Sequence, residues 1–455
     1  MRSDVRVVPE ERRCSLLPLT ESTTLLTFLP IDSRRASMDV SLQHTTSVLS
    51  HSFSPYFQQR FFYISDGGMA ASAFNLASST LGAGTLALPY AVAHCGWVLS
   101  FFALMLCFIS TVYSVYLLAA IMELTGCTTY EEMSNYCFGY LIEKITASII
   151  ILFCWGVAVV YVVVIGDILD SIVAALHLQQ YIGRQGLLLL FWLFIMLPLS
   201  LARSINSLRY ASLVGSMSTT VLVMAICLNA VGNGAKLTSV PLIKLEMETF
   251  SSFNTFVFSI CCQSVVSKVY AEMQNRSPCN ITKAATLSIG SCSFIYIVAG
   301  VFGAADFGVN TEPNIMHNYT NDLDKPYITL AFFAIALTVT MSFPMAIFPT
   351  RDSILIVLGY PEDNATTASV VVAAVLALLA LILGMLVPNV RILFNVLGGV
   401  LGSFVSFIFP ALFAIRCGFW NPKAVGWLHV GATGGLLILG AVSCALGVQS
   451  SFGIV

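Results

Sequence analysis

The sequence predicts an all-α integral membrane protein that crosses the bilayer about eleven times, each span a helix of about 20 apolar residues. Three observations lead there. Of 455 residues, 57% are hydrophobic and only 10% are Asp, Glu, Lys or Arg, against roughly 25% charged in an ordinary soluble domain. The mean hydropathy is +0.86, so lipid must cover much of the surface. The apolar residues also come in long unbroken runs. Only helices and closed barrels satisfy every backbone hydrogen bond in hydrocarbon, and barrel strands would alternate instead.

Residues 1–65 precede the first run and are expected to form a disordered cytosolic tail; residues 66–450 form the transmembrane domain. The tail is rich in Ser and Thr and carries Arg2, Arg6, Arg12, Arg13, Arg34, Arg35 and Arg60. Its apolar patch, Leu16 to Ile31, is broken by Pro18, Glu21 and Pro30, whereas a signal peptide needs an unbroken apolar core of roughly 7–15 residues. The first membrane helix is therefore expected to act as an uncleaved targeting signal.

The first span, 69–93, is apolar yet holds Asn75, Ser78, Ser79, Thr80, Gly82, Gly84 and Pro89. In a helix interior Gly costs about 1 kcal/mol and Pro about 3 kcal/mol relative to Ala. A helix interrupted at mid-depth would expose N–H groups to a carboxylate and carbonyls to a cation. Small residues also serve close helix packing; the two-residue spacing of Gly82 and Gly84 suits a backbone break better. The second span, 97–122, is uniformly apolar. The third, 145–172, has Tyr161 near its middle. The fourth, 186–202, is short, and the fifth is 209–231. The sixth, 250–272, holds Phe258, Ser259, Cys262, Gln263 and Ser264. Its Lys268 either snorkels to the inner surface or alters substrate charge preference. The seventh to eleventh are 284–306, 327–349, 367–387, 391–416 and 427–448.

Loop charge orients the chain. With the N-terminus inside, the inner segments hold the seven tail arginines with Lys144, Arg203, Arg209, Arg276, Lys283, Arg351, Arg416 and Lys423, fifteen in all. The outer segments hold Arg184, Lys236, Lys244, Lys325 and Arg391, five. The positive-inside rule then places the N-terminus in the cytosol. The sequon at Asn318 falls on the outer loop 307–326; those at Asn275, Asn280 and Asn364 fall on inner loops. The formal charge of −2 and the lack of a basic stripe give no reason to expect nucleic acid. Most of the 13 cysteines lie in apolar segments, and no disulfide framework is expected.

Three stretches carry a resemblance. Phe74-Asn75-Leu76, Gly82-Ala83-Gly84 and Leu86-Ala87-Leu88-Pro89-Tyr90-Ala91 resemble the first-helix signature of the amino acid/auxin permease (AAAP) family of transmembrane amino acid transporters. Phe258 to Gln263 leading to Tyr270-Ala271-Glu272-Met273 is similar to that family's sixth helix. Ser342-Phe343-Pro344 followed by Phe348-Pro349-Thr350-Arg351 is similar to the end of its eighth. Ser267 and Lys268 depart from the apolar residues or proline usual before the sixth-helix Tyr-x-Glu.

The resemblance implies a LeuT-type fold, a 5+5 inverted repeat plus one peripheral helix, and a secondary active amino acid symporter working by alternating access. It implies a substrate site at unwound helices 1 and 6. Backbone N–H groups of Gly82, Ala83 and Gly84 would take the carboxylate, and carbonyls from Ser259 to Cys262 the ammonium group. Phe258 would cover the pocket, Gln263 and Ser264 would line it, and Tyr161 would touch the substrate. Phe258 and Tyr161 also read as ordinary packing aromatics. Asn75 and Ser342 match positions that help hold sodium in sodium-coupled members, with Thr338 and Thr340 as further candidates. The coupling ion is Na+ or H+, and no other cofactor is implied. Asp167, Asp170, Glu123 and Asp306 lie near helix ends and read as capping or interfacial groups.

An enzyme is disfavoured: the six histidines lie in the tail, loops or helix ends, and neither HExxH nor GxSxG occurs. The alternative on the same fold is an amino acid sensor or receptor without net transport; a channel ranks third. The partners expected are a small-molecule amino acid and the lipid bilayer. The expected location is the plasma membrane, with an acidic organelle as the alternative.

Overall fold

The chain's structure is a computed structural model that describes residues 67–175, 183–201, 209–235, 240–359, 366–387 and 390–452. The expected 1–65 tail, Arg203, Lys236 and the Asn364 sequon lie outside these residues. Every regular element described is helical.

The opening span consists of two helices, α1 (Met69–Thr80) and α2 (Gly84–Cys95), bent by 58° at the break between them. The hydroxyls of Ser79 and Thr80 both donate to Leu76 O at 2.8 Å. Such back-bonding competes with the helix ladder and bends helices. Leu81 is then extended, at φ −71° and ψ 114°. The helix α3 (Trp97–Thr125) stops at Gly126, whose left-handed backbone (φ 75°) caps it. The short α4 (Tyr130–Phe138) starts at Thr129, whose hydroxyl accepts from Glu132 N at 3.2 Å. Glu131 and Glu132 stand in its first turn, where the helix dipole favours acids.

Then come α5 (Tyr140–Ala175), α6 (Arg184–Ser200, with one π-helical turn) and α7 (Arg209–Gly232). The sixth span is again two pieces, α8 (Met247–Ile260) and α9 (Gln263–Glu272), separated by Cys261 and Cys262. The rest are α10 (Pro278–Phe307), α11 (Pro326–Leu358), α12 (Thr366–Leu386), α13 (Val390–Arg416, with two π-helical stretches in its middle) and α14 (Trp427–Phe452).

Among the described residues, nine helices are long and apolar enough to cross a membrane, or ten with α1–α2 taken as one bent span. The shorter apolar α6 occupies the place of the expected short fourth span. The chain alternates between two faces. Gln274 N donates to Gly67 O at 2.9 Å on the face where α1 begins, and Lys244 N to Cys95 O at 2.9 Å on the opposite face. We call these the near and far faces.

Burial sorts the bundle. The α8–α9 span is 83% buried at a mean hydropathy of 1.2, whereas α12 is 33% buried at 2.9. The least apolar span is thus the most enclosed, as expected when polar groups shun lipid. The last helix, α14, is only 28% buried and lies at the periphery. Among the described residues eleven cysteines are free thiols, and Cys279 is disulfide-bonded.

Candidate functional site

The two helix breaks face one another. Gly84 packs on Ser259: a Cβ at Gly84 would lie 2.6 Å from Ser259 Oγ and 3.0 Å from its Cα. A Cβ at Gly82 would lie 2.8 Å from the Tyr161 hydroxyl. Glycine at both places is therefore a condition of close approach, not only of backbone freedom.

Each break frees backbone groups. The first N–H groups of any helix lack intrahelical acceptors, and those of Gly82, Ala83 and Gly84 find no other backbone partner among the described residues. At the second break, Cys262 N donates instead to the side chain of Gln263, at 3.0 Å from Oε1. Gln263 Oε1 also accepts from Ser406 Oγ at 3.1 Å. Its amide thus caps α9 and ties it to α13.

Between the breaks lies a narrow cavity of about 30 Å³. Of the residues singled out from sequence, Ala83, Gly84, Tyr161, Phe258 and Ser264 line it. Gly82 abuts Tyr161 behind the wall. The Ser259 hydroxyl turns back to Thr255 O at 2.7 Å, and Gln263 is held by its capping bonds. Cys261 rather than Cys262 borders the space, together with Phe153, Val157 and Met345. No Asp, Glu, Lys, Arg or His is among the lining residues. Phe258 is 8% exposed and its ring sits 4.9 Å from that of Phe394.

Sequence reasoning passed over Tyr296. From α10 its buried hydroxyl reaches Thr80 O at 2.6 Å and Ser259 O at 3.1 Å. One O–H thus serves a carbonyl at each break. A tyrosine inside an apolar helix carries no motif, so nothing short of the fold reveals it.

A polar knot joins α1 to α11. Ser342 Oγ donates within 2.9 Å of Ser78 O and 3.0 Å of Leu81 O. Nearby on α1, Asn75 Oδ1 and Ser78 Oγ are buried without a hydrogen-bond partner. Thr338 and Thr340 are engaged elsewhere: Thr338 Oγ1 bonds Ala334 O at 3.0 Å and Gly215 O at 3.1 Å, and Thr340 Oγ1 bonds Ala336 O at 2.6 Å. No group of three or more His, Cys, Asp or Glu gathers among the described residues. Any cation held here would have carbonyls, hydroxyls and an amide as ligands, the donors hard cations prefer.

Lys268 stays out of the cavity and pairs with Asp352 at 3.0 Å near the near face. On the far face Asp167 accepts from Arg184 at 2.8 Å and Asn314 at 3.3 Å. Asp306 there accepts from Asn229 and Asn233, each at 2.8 Å. These acids hold the connections between helices.

A family model described as transmembrane amino acid transporter protein matches residues 65–452. Among solved structures, the chain is similar to a sialic acid symporter described as Na+-coupled, in a substrate-bound outward-open state. The TM-score is 0.51 at 12% identity, over 83% of this chain and 90% of that one. It is also similar to MhsT in complex with L-phenylalanine, with a TM-score of 0.54 at 12% identity, over 84% of this chain and 98% of that one. At such identity the likeness is one of fold: the LeuT type, two halves of five spans with α14 outside them.

Proposed function

The chain belongs to the transmembrane amino acid transporter family, and from that premise we propose that it is a secondary active transporter of neutral amino acids, working by alternating access. The observation that carries this reading is the uncharged cavity between two helix breaks, one of which leaves the Gly82, Ala83 and Gly84 N–H groups open. Those groups would take the substrate carboxylate, with the positive end of α2 behind them. Carbonyls at the second break, from Ser259 to Cys262, would take the ammonium group. Tyr161, Phe258 and Ser264 would meet the side chain, and the lack of lining charge favours neutral side chains.

Ligand pockets commonly measure roughly 300–1,000 Å³, so a cavity of about 30 Å³ must widen to load. Widening on one face at a time is what alternating access requires. Transport is driven by a sodium or a proton gradient. For sodium, Ser78 O, Leu81 O, Ser342 and Asn75 would hold the ion, and the unpartnered Asn75 Oδ1 and Ser78 Oγ fit that role. Bound there, the ion would supply positive charge that ties α1 to α11. We infer a plasma-membrane protein with the near face in the cytosol: among the described residues, Lys144, Arg276, Lys283, Arg351, Arg416 and Lys423 lie at the near-face ends of helices, against Arg184, Lys244, Lys325 and Arg391 at the far face.

Counterflow of labelled amino acids into proteoliposomes tests the reading, with a competition panel of the twenty amino acids to define the substrate. Saturable, mutually competitive exchange among neutral amino acids is expected. Saturable binding with no flux would replace transport with sensing.

A further inference from the structure

On the near face a second cavity adjoins the substrate cavity, and the two share Ser264 of α9. Residues of α4, α5, α9 and α11 wall it, among them Glu131, Ile150, Lys268, Asp352 and Ser353. Glu131 is the buried acid of this chamber, only 4% exposed. Its carboxylate accepts a hydrogen bond from the Ser353 hydroxyl of α11. A carboxylate so enclosed is expensive unless it is paired or protonated, and the structure gives it a neutral hydroxyl.

We propose that Glu131 is a proton-binding site of the transport cycle, filled from the substrate cavity past Ser264 and emptied to the near face. The inference rests on the transport reading above and deepens it by naming the group that carries the coupling proton. The chemistry is a single proton transfer. A hydronium ion in the cavity yields its proton to a Glu131 oxygen, forming the neutral acid and water. When the near face opens, that O–H bond breaks, water takes the proton, and the carboxylate returns.

The surroundings suit this role. Burial pushes the Glu131 carboxyl above the ordinary carboxylate range, while the hydrogen bonds from Ser353 and Thr129 and the charge of Lys268 pull it down. Opposing influences of this kind decide how readily a carboxyl takes up and gives back a proton. From α9 it faces Lys268, which pairs with Asp352 at 3.0 Å. From α11 Asp352 lines the same cavity, and it also pairs with Arg351 at 3.0 Å. On its own helix are Tyr130, whose hydroxyl donates to Val405 O of α13 at 3.1 Å, and Glu132, which accepts from Thr128 N at 2.6 Å. From α5 comes Cys154. Protonation removes a negative charge beside Lys268 and so weakens the tie between α4 and α9. Since α9 begins at the second break, the proton and the substrate act on one helix.

The test uses the purified full chain in proteoliposomes, with a tritiated mixture of neutral L-amino acids as probe. One proton per substrate should support about tenfold accumulation per unit of pH difference, acid outside. Glu131→Gln should lose that accumulation, and its counterflow should lose its dependence on pH. Ser353→Ala removes a bond to the charged form, so the pH of half-maximal accumulation should move upward. This shift decides the matter if Glu131→Gln does not fold. Accumulation by Glu131→Gln at the level of the unmodified chain, or an unmoved midpoint in Ser353→Ala, overturns the proposal. Wild-type counterflow without any pH-driven accumulation overturns it while leaving transport intact. Absence of counterflow in the unmodified chain overturns both.

Discussion

The two interrupted spans solve one problem in different ways. Between α1 and α2 the chain turns by 58° through a stretch flanked by glycines, and three successive N–H groups are left open. Between α8 and α9 the interruption is milder, and the side chain of Gln263 fills the gap it creates by accepting from Cys262 N. The first break keeps its donors for a guest; the second supplies much of its own satisfaction. Room should therefore matter most at the first break and hydrogen bonding most at the second.

Gly84→Leu is the harshest way to break this contrast. The added side chain would meet Ser259 Oγ at 2.6 Å and its backbone at 3.0 Å, so uptake should vanish while the protein still reaches the membrane. Normal uptake by that variant would undo the assignment of the site. Gln263→Leu keeps volume but strands Cys262 N and leaves the Ser406 hydroxyl only Cys261 Sγ, at 2.9 Å. Leaving a buried polar group unpaired costs about 1–3 kcal/mol, so the Tm should fall and uptake with it. Gln263→Glu, which retains an acceptor for Cys262 N, should recover part of the Tm.

Tyr296→Phe acts on both breaks at once by removing the hydroxyl near Thr80 O and Ser259 O. A loss of about 1–3 kcal/mol is expected, and it should couple non-additively with Gln263→Leu in a double-mutant cycle on Tm. Simple additivity would separate the two breaks energetically. The gentlest change is Ser342→Ala, which reaches only the first break. It should cost about 0.5–1.5 kcal/mol in Tm. If transport is driven by sodium, it should also raise the sodium concentration needed for half-maximal uptake.

Much of this was legible in the residues because the governing rules are local. Long apolar runs define spans without any tertiary knowledge, and the short fourth span is visible as a run that ends early. Gly82 and Gly84 announce a break because glycine and a close approach belong together. The rest depended on direction. Gln263 reads as a pocket residue by depth alone, yet its amide turns to Cys262 and Ser406. Helix depth can be counted along a sequence, whereas the side of the helix that meets the cavity depends on how its neighbours pack. Lys268 illustrates the same limit: its aspartate lies 84 positions away in the chain, on α11. Glu131 was hidden differently. In an Asp/Glu-rich first turn it resembles any acid that complements a helix dipole, and only the packing of α11 over it reveals its enclosure.

The last helix is the least enclosed of the spans, yet at one point it has no slack. A Cβ at Gly447 would fall 2.6 Å from Gly399 Cα, and one at Gly399 would fall 2.4 Å from Gly447 Cα. The two main chains are in direct contact there, like crossed rods pinned where they touch. Neither α13 nor α14 can slide at that crossing without dragging the other, so a helix with little buried surface still travels with the bundle as an outrigger.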